Sequence, residues 1–458
     1  MTANITERLA DFAATVRTGE LPDSAATQAR SLLLDAVACA LASDFGNETD
    51  AYARFAEAAG GPGESTVIGR RTGLSPLGAT LLNAYQITAA TICDTYVPAH
   101  VHITPEVVPP ALAIAERDGL DGASLLTAIA VGSEVAVRIA DGIDYSVAGP
   151  RGWHLPGIVG PVGAAAAVGR LTGLGPREMR NAFGLAGSQS AGTWASWGTP
   201  TVKFHQSRGS GSGLLAVLLA RTGFTASADV IGHPDGGILV AHSDGGTPEK
   251  VLDLLGTRWV FEDISLRIWP GGAPLQPALT AAFELITTHA PDPEAIGKVL
   301  IEVSQDVYDA HARFDRPQGT FEALLSFHLA VACALRDREF WLTSVEPAAL
   351  DDAGLRGFIA EKLSIAVDPG FSRDSGRVTI EMADGTRLAA RVDAAKGTPK
   401  NPATLEDLRA KFMNCAAGRL SEADAGELLD IMAEIDRQPD LGRFFALLKS
   451  PGRRSAGG

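Results

Sequence analysis

Three stretches of this chain set titratable and cationic side chains in apolar, Gly-rich or Trp-rich surroundings. In residues 94–105, DTYVPAHVHITP, the side chains of Asp94, Thr95, Tyr96, His100 and His102 crowd together between apolar segments. A histidine beside a carboxylate can serve as general acid or base, because its pKa lies near neutrality and small shifts poise it. The alternate spacing of His100 and His102 also admits a metal, but no second ligand pair accompanies it. A polar loop whose histidines satisfy nearby backbone groups is the blander reading. In residues 150–157, PRGWHLPG, Gly152 and Pro156 predict a tight turn into a helix that starts near Pro156. His154 then stands near a helix N-terminus, where the dipole lowers an imidazole's pKa and attracts anions. The alternative is a loop histidine stacked on Trp153. In residues 198–213, GTPTVKFHQSRGSGSG, Lys203, His205 and Arg208 precede an alternating Gly-Ser run and an apolar helix from Leu214. The backbone N–H groups of a Gly209–Gly213 loop, with a helix N-terminus behind them, would make an anion site. A flexible surface loop is the other reading.

Other chemistries leave no mark. The pattern GxxxxGK[ST] is absent, and no strand precedes the Gly-Ser run as a dinucleotide fingerprint requires. Nor is there a GxSxG elbow, an HExxH pair, an EF-hand loop or a kinase signature. The candidate residues point to chemistry run by acids and bases alone.

The elements that must position these residues are mostly helical. Residues 24–43 keep apolar positions at helical spacing, with Ser24 as the expected N-cap. Residues 105–117 open on prolines, which suit a first turn. Residues 122–140 and 162–169 are rich in Ala, Val, Ile and Gly, so helices there should be covered on all sides and pack closely. The texture changes near Pro270. Residues 297–305, 363–368 and 376–392 alternate like strands, the last around an Asp384-Gly385 turn, with helices expected at 274–289 and 320–335. The fold class is therefore mainly α: a large all-helical domain with an inserted, smaller α+β lid domain. The expected boundaries are 1–268 for the first helical part, 269–397 for the lid, 398–450 for the helical return and 451–458 for a tail. A cleft between the two domains is the default place for an active site.

Bulk properties narrow the partners. The 458 residues carry 39 basic and 54 acidic side chains, a net charge of −15, which argues against nucleic acid or an anionic membrane surface. A few local cations can still meet a small acidic substrate. Cys39, Cys93, Cys333 and Cys415 lie far apart, poor material for a disulfide frame or a zinc site. The N-terminus lacks the basic start of a signal peptide, and no apolar run was expected to reach the roughly 18 residues that span a bilayer. A cytoplasmic protein is expected.

These segments, in this order, resemble the MmgE/PrpD family. The likeness runs through LLLDAVACALAS (32–43), PEVVPPALAIAERDGLDGASLLTAIAVGSEVAVRI (105–139), GWHLPGIVGPVGAAAAVGRLTGL (152–174), RIWPGGAP (267–274) and KGTPKNPATLEDLRAKFMNCA (396–416). The resemblance implies a helical domain plus a lid, a homodimer, and an active site between the domains that needs no metal or organic cofactor. It implies His154 and His102 as catalytic histidines, the latter with one inserted residue allowed, and Asp94 and Thr95 as the motif's Asp-Thr pair. His205 and Arg208 fall in register with the third motif, and Arg267 stands where the family has a lysine. Four departures accompany it. The family's Asp-x-Asp-Asp becomes Thr91-Ile92-Cys93-Asp94; the motif lysine falls on Val202, with Lys203 one place on; Arg267 keeps a cation but cannot act as a base; and the His or Cys positions that follow are Gly272 and Gln276. The expected site is thus His154, His102, Asp94 and Lys203 for catalysis, with Thr95, His205, Arg208, Arg267 and Gln276 binding a small carboxylic acid. Proton removal next to a carboxylate could lead to dehydration, the leading expectation, or to epimerisation or decarboxylation. A carboxylate-binding module whose catalysis has lapsed is the alternative from another class.

Overall fold

In a computed structural model that describes residues 4–45 and 48–449, helix begins almost at once. The tail expected at 451–458 lies outside the described residues. Asn4 caps α1 (Ile5–Thr15), its side chain accepting from the Glu7 amide. Next is α2 (Asp23–Leu41), whose N-cap is Pro22, so Ser24 lies within the first turn and not at the cap as expected. Then come α3 (Thr49–Gly60), the short strand β1 (Pro62–Ser65) and α4 (Pro76–Ala89). Beyond the loop 90–103 run α5 (Thr104–Asp118), α6 (Gly122–Gly142), the single-turn α7 (Tyr145–Ala148), α8 (Pro156–Leu171), α9 (Pro176–Gly187) and α10 (Thr201–Ala220). The short α11 (Ile238–Ser243) and α12 (Pro248–Leu252) complete this part.

The chain divides into two compact units, one holding residues up to Ile264 together with those from Leu408 onward, the other Ser265–Asp407. In the second unit, α13 (Gln276–His289) packs on α16 (Phe327–Asp337) and on a four-stranded sheet. The strands are β2 (Ile296–Val303), β3 (Leu363–Val367), β4 (Gly376–Met382) and β5 (Arg387–Val392), in the order β3-β2-β4-β5. Only β2–β3 is parallel. The β4–β5 hairpin turns at Gly385, with φ of 86°, where the Asp384 carboxylate accepts from the Thr386 amide. Short helices α14 (Gln305–His311), α15 (Thr320–Ala323) and α17 (Pro347–Leu350), with the longer α18 (Ala353–Lys362), fill the connections. The chain then returns through α19 (Leu405–Ala416), α20 (Glu422–Ala433) and α21 (Gly442–Leu448). The protein is mainly α with one small mixed sheet.

Within the first unit, α8 is the hub, packing on α5, α6, α9 and α10. Small residues set the spacing. A Cβ on Gly132 of α6 would lie 2.8 Å from the Gly163 carbonyl of α8, and one on Gly213 of α10 would lie 2.4 Å from the Ala164 Cβ. This corrects the expected Gly-Ser loop: α10 runs unbroken from Thr201 to Ala220, so the amides of Gly209–Gly213 belong to a helix interior and form no anion site. Alternating glycines cost helix propensity, and close contact with α8 offsets it. A second correction concerns α6. Its 21 residues are long and apolar enough to cross a membrane by length and composition, although 89% of the window that passes this test is buried inside the protein.

Candidate active site

The loop 90–103 that follows α4 is held in a strained, heavily tied shape. Thr91 and His100 both adopt left-handed backbone, with φ of 57° and 52°. Asp94, fully buried, spends its carboxylate on the start of α5: Oδ2 accepts from the Ile103 amide at 2.7 Å, and Oδ1 from the Thr104 amide at 3.1 Å and the Thr104 hydroxyl at 2.5 Å. The imidazole contact expected of that carboxylate is made instead by the Asp94 main-chain carbonyl, which accepts from His102 Nδ1 at 2.6 Å and from the Thr95 hydroxyl at 2.8 Å. A carbonyl can only accept, so His102 carries its proton on Nδ1, and in the neutral ring Nε2 holds the lone pair.

His154 sits two residues before α8, as the Gly152 and Pro156 signals require. Its partner comes from 51 positions away: Nδ1 of His154 lies 3.1 Å from Nδ1 of His205, on the first turns of α10. Gly192 lies against the His205 ring and the His154 main chain: a Cβ there would stand 3.1 Å from His205 Nδ1 and 3.2 Å from the His154 carbonyl. The Trp194 ring flanks His154 at 5.6 Å. Burial, reinforced by the neighbouring His102 and His205, pushes His154 down to about 3. Burial and then the Arg208 charge push His205 down as well. Both rings are therefore neutral at physiological pH, and one Nδ1–H donates to the other ring's lone pair. Three histidines from three separate segments share one electrostatic neighbourhood.

The cations of α10 flank this group but are engaged with backbone. Arg208 donates to the carbonyls of Gln189 at 2.6 Å, Gly157 at 2.9 Å and Ala191 at 2.8 Å, tying the segment that carries Gly192 onto α8. Lys203 donates to the Ala89 carbonyl at the end of α4. Arg267 and Gln276 belong to the second unit and form a local arrangement there. Arg267, 5% exposed, donates to the Gly271 carbonyl at 3.0 Å, while the Gln276 amide accepts from the Trp269 amide at 3.3 Å and donates to its carbonyl at 3.1 Å.

Two positions went unread in the sequence. Lys411 of α19, fully buried, donates to the Asp35 carboxylate at 2.5 Å and to the Ile92 carbonyl at 2.7 Å, clamping the site loop from behind. Burial works against its charge, but Asp35 outweighs this and holds the ammonium well up. The signals were a lone carboxylate inside the apolar run LLLDAVACAL, and a lysine on the same helix face as Leu408, Phe412 and Cys415. The other is Glu106 on α5, completely buried among apolar neighbours.

Comparison with known proteins follows the same outline. The MmgE/PrpD N-terminal domain matches residues 7–250, and the MmgE/PrpD C-terminal domain matches residues 269–437. The cis-aconitate decarboxylase-like protein oryM of Aspergillus oryzae is 25% identical, with 97% of each chain covered. Cis-aconitate decarboxylase of Aspergillus terreus is 25% identical over 98% of this chain and 96% of its own. The human cis-aconitate decarboxylase is 24% identical over the same shares, 98% and 96%. With both domains matched in order and nearly the whole length shared, the chain belongs to the MmgE/PrpD family.

Proposed function

We propose that this chain is a cofactor-independent lyase acting on a small di- or tricarboxylic acid, working in the cytoplasm as a homodimer. The observation that carries the reading is the cluster of His102, His154 and His205, imidazoles brought together from separate segments and able to exchange protons without a metal. In the empty site His154 and His205 are neutral bases. An arriving carboxylate favours the charged form of an imidazole beside it, so substrate binding itself draws a proton into the cluster. Loss of carbon dioxide then breaks a carbon–carbon bond and leaves the electron pair on the remaining carbon, spread into an adjacent unsaturated acid. An imidazolium returns the proton to that carbon. Decarboxylation takes precedence over the dehydration expected from sequence because relatives spanning nearly the whole chain, those of Aspergillus terreus and human among them, are cis-aconitate decarboxylases. Dehydration needs the same histidines to take a proton next to a carboxylate while hydroxide leaves.

The test is a panel containing cis-aconitate, other unsaturated di- and tricarboxylates and their hydroxylated counterparts, with released carbon dioxide and enoate absorbance followed together. Carbon dioxide release from an unsaturated acid is the expected result. Enoate absorbance rising from a hydroxy acid without carbon dioxide would move the assignment to dehydration. Ligands that raise the melting temperature without any turnover would leave a binding module whose catalysis has lapsed.

A further inference from the structure

Glu106 stands where three helices meet beneath the histidine pair. On α8, a Cβ on Gly157 would stand 3.1 Å from the His205 Cβ, and Gly160 lies one turn further along; a Cβ on Gly160 would fall 1.9 Å from the Glu106 carboxyl carbon. On α10, Gly209 lies one turn beyond His205, and a Cβ there would come within 3.5 Å of Glu106 Oε1. Gly160 thus leaves the space that this carboxyl fills, whereas a Cβ on Gly209 would make only ordinary contact with it. Its exposure is 0%, and among the described residues neither oxygen has a hydrogen-bond partner. A carboxylate in that state, desolvated and unbonded, is far less favourable than the free acid. The charged groups that act on it are Arg208 of α10 and Asp94 of the loop before α5, while α8 meets it with Gly160. Among the described residues Arg208 forms no ion pair, and its hydrogen bonds go to main-chain carbonyls.

We propose that Glu106 is a positioning residue held as a neutral acid under the site, which leaves the Arg208 charge unopposed, helps keep His205 uncharged, and reserves that charge for an anionic ligand. Burial pushes the carboxyl well above its ordinary value, with Arg208 opposing and Asp94 adding to the shift. The Arg208 charge in turn is among the causes that lower His205. An ionised Glu106 would oppose that charge and make His205 easier to protonate. The role of the ligand rests on the lyase reading, but the charge states do not, and the experiment needs no substrate.

Infrared spectra of the full chain at mildly alkaline pH should show a free-acid carbonyl band that is missing from Glu106→Gln. Histidine titrations followed by NMR should show the same His205 midpoint in the native chain and in Glu106→Gln, since one neutral group replaces another. Arg208→Gln should raise that midpoint. No free-acid band in the native chain, a His205 midpoint lowered by Glu106→Gln, or a midpoint that Arg208→Gln leaves in place would each overturn the proposal. Should Arg208→Gln fail to fold, the band and the Glu106→Gln titration decide the matter alone. A chain that shows the band and the expected midpoints but turns over no acid would sink the lyase reading and leave this one standing.

Discussion

His154 and His205 share one hydrogen between two Nδ1 atoms 3.1 Å apart. The ring that donates this hydrogen keeps a lone pair on Nε2, and the ring that accepts it keeps an N–H on Nε2. The pair therefore offers a base and an acid at once, without either imidazole being charged. A positioned acid or base of this kind contributes roughly 100-fold or more to turnover, so His154→Ala should lower kcat by at least about that factor. Steady-state kinetics on the substrate found by the panel would check it, and turnover close to native would remove His154 from the mechanism. How much of this arrangement could be read from residues alone differs by position. The turn GWHLPG declares where His154 stands, because Gly152 needs left-handed backbone, with φ of 80°, and Pro156 suits a first helical turn. The partnership with His205 is invisible at that level, since it depends on how α8 and α10 pack and on Gly192 lying against the His205 ring. Asp94 was legible as a site residue, but its geometry is inverted: the carboxylate braces α5 and the carbonyl holds the histidine.

At the scale of elements, the placement of each histidine reduces to how near two helices can come. Alternating Gly and Ser at 209–213 read as a loop because glycine is a poor helix former, a preference of about 1 kcal/mol against alanine. Tertiary contact overrides that preference, and the sign of one substitution shows it. Gly213→Ala gains helix propensity yet places a methyl 2.4 Å from the Ala164 Cβ and 2.5 Å from the Pro161 carbonyl. Overpacking of that kind costs about 1–3 kcal/mol, so the variant should be less stable than the native chain. Gly357 in α18 is the control, because a Cβ there meets nothing within 4 Å. Gly357→Ala should be stabilising by about 1 kcal/mol from propensity alone. Denaturant melts of the two variants should therefore move in opposite directions, and movement in the same direction would contradict the close-packing account. The helices themselves were legible from apolar spacing and proline placement, as α5 and α6 show. What the sequence could not tell is which small residues serve contact and which merely tolerate solvent. That distinction exists only once a facing helix is known.

For the molecule as a whole, the buried histidines impose a common dependence on pH. His154, His205 and His242 in the first unit, and His311 and His328 in the second, are all pushed below the ordinary 6.5, in each case chiefly by burial. A base whose folded pKa is depressed takes up protons more readily when unfolded. Its contribution to stability is complete above 6.5 and is lost as pH falls from there toward the folded value, which for His154 is about 3. Carboxylates held low by arginines, such as Asp118 beside Arg117, also lose stability in acid, but only from about their ordinary 3.8 downward. Glu106 has the opposite sign: its contribution is complete below its ordinary 4.5 and is lost as pH rises toward its raised folded value. Glu134 and Asp141, also raised chiefly by burial, act in the same sense as Glu106, so three carboxyls work against five imidazoles and the interval between 6.5 and 4.5 should show a net loss of stability on acidification. Calorimetry across that interval should find the melting temperature falling with pH. In Glu106→Gln part of the opposing contribution is gone and the fall should be steeper. A melting temperature that stays level from neutrality down to 4.5 would mean that the histidines are not held neutral in the folded chain, and the base chemistry assigned to the cluster would fall with it.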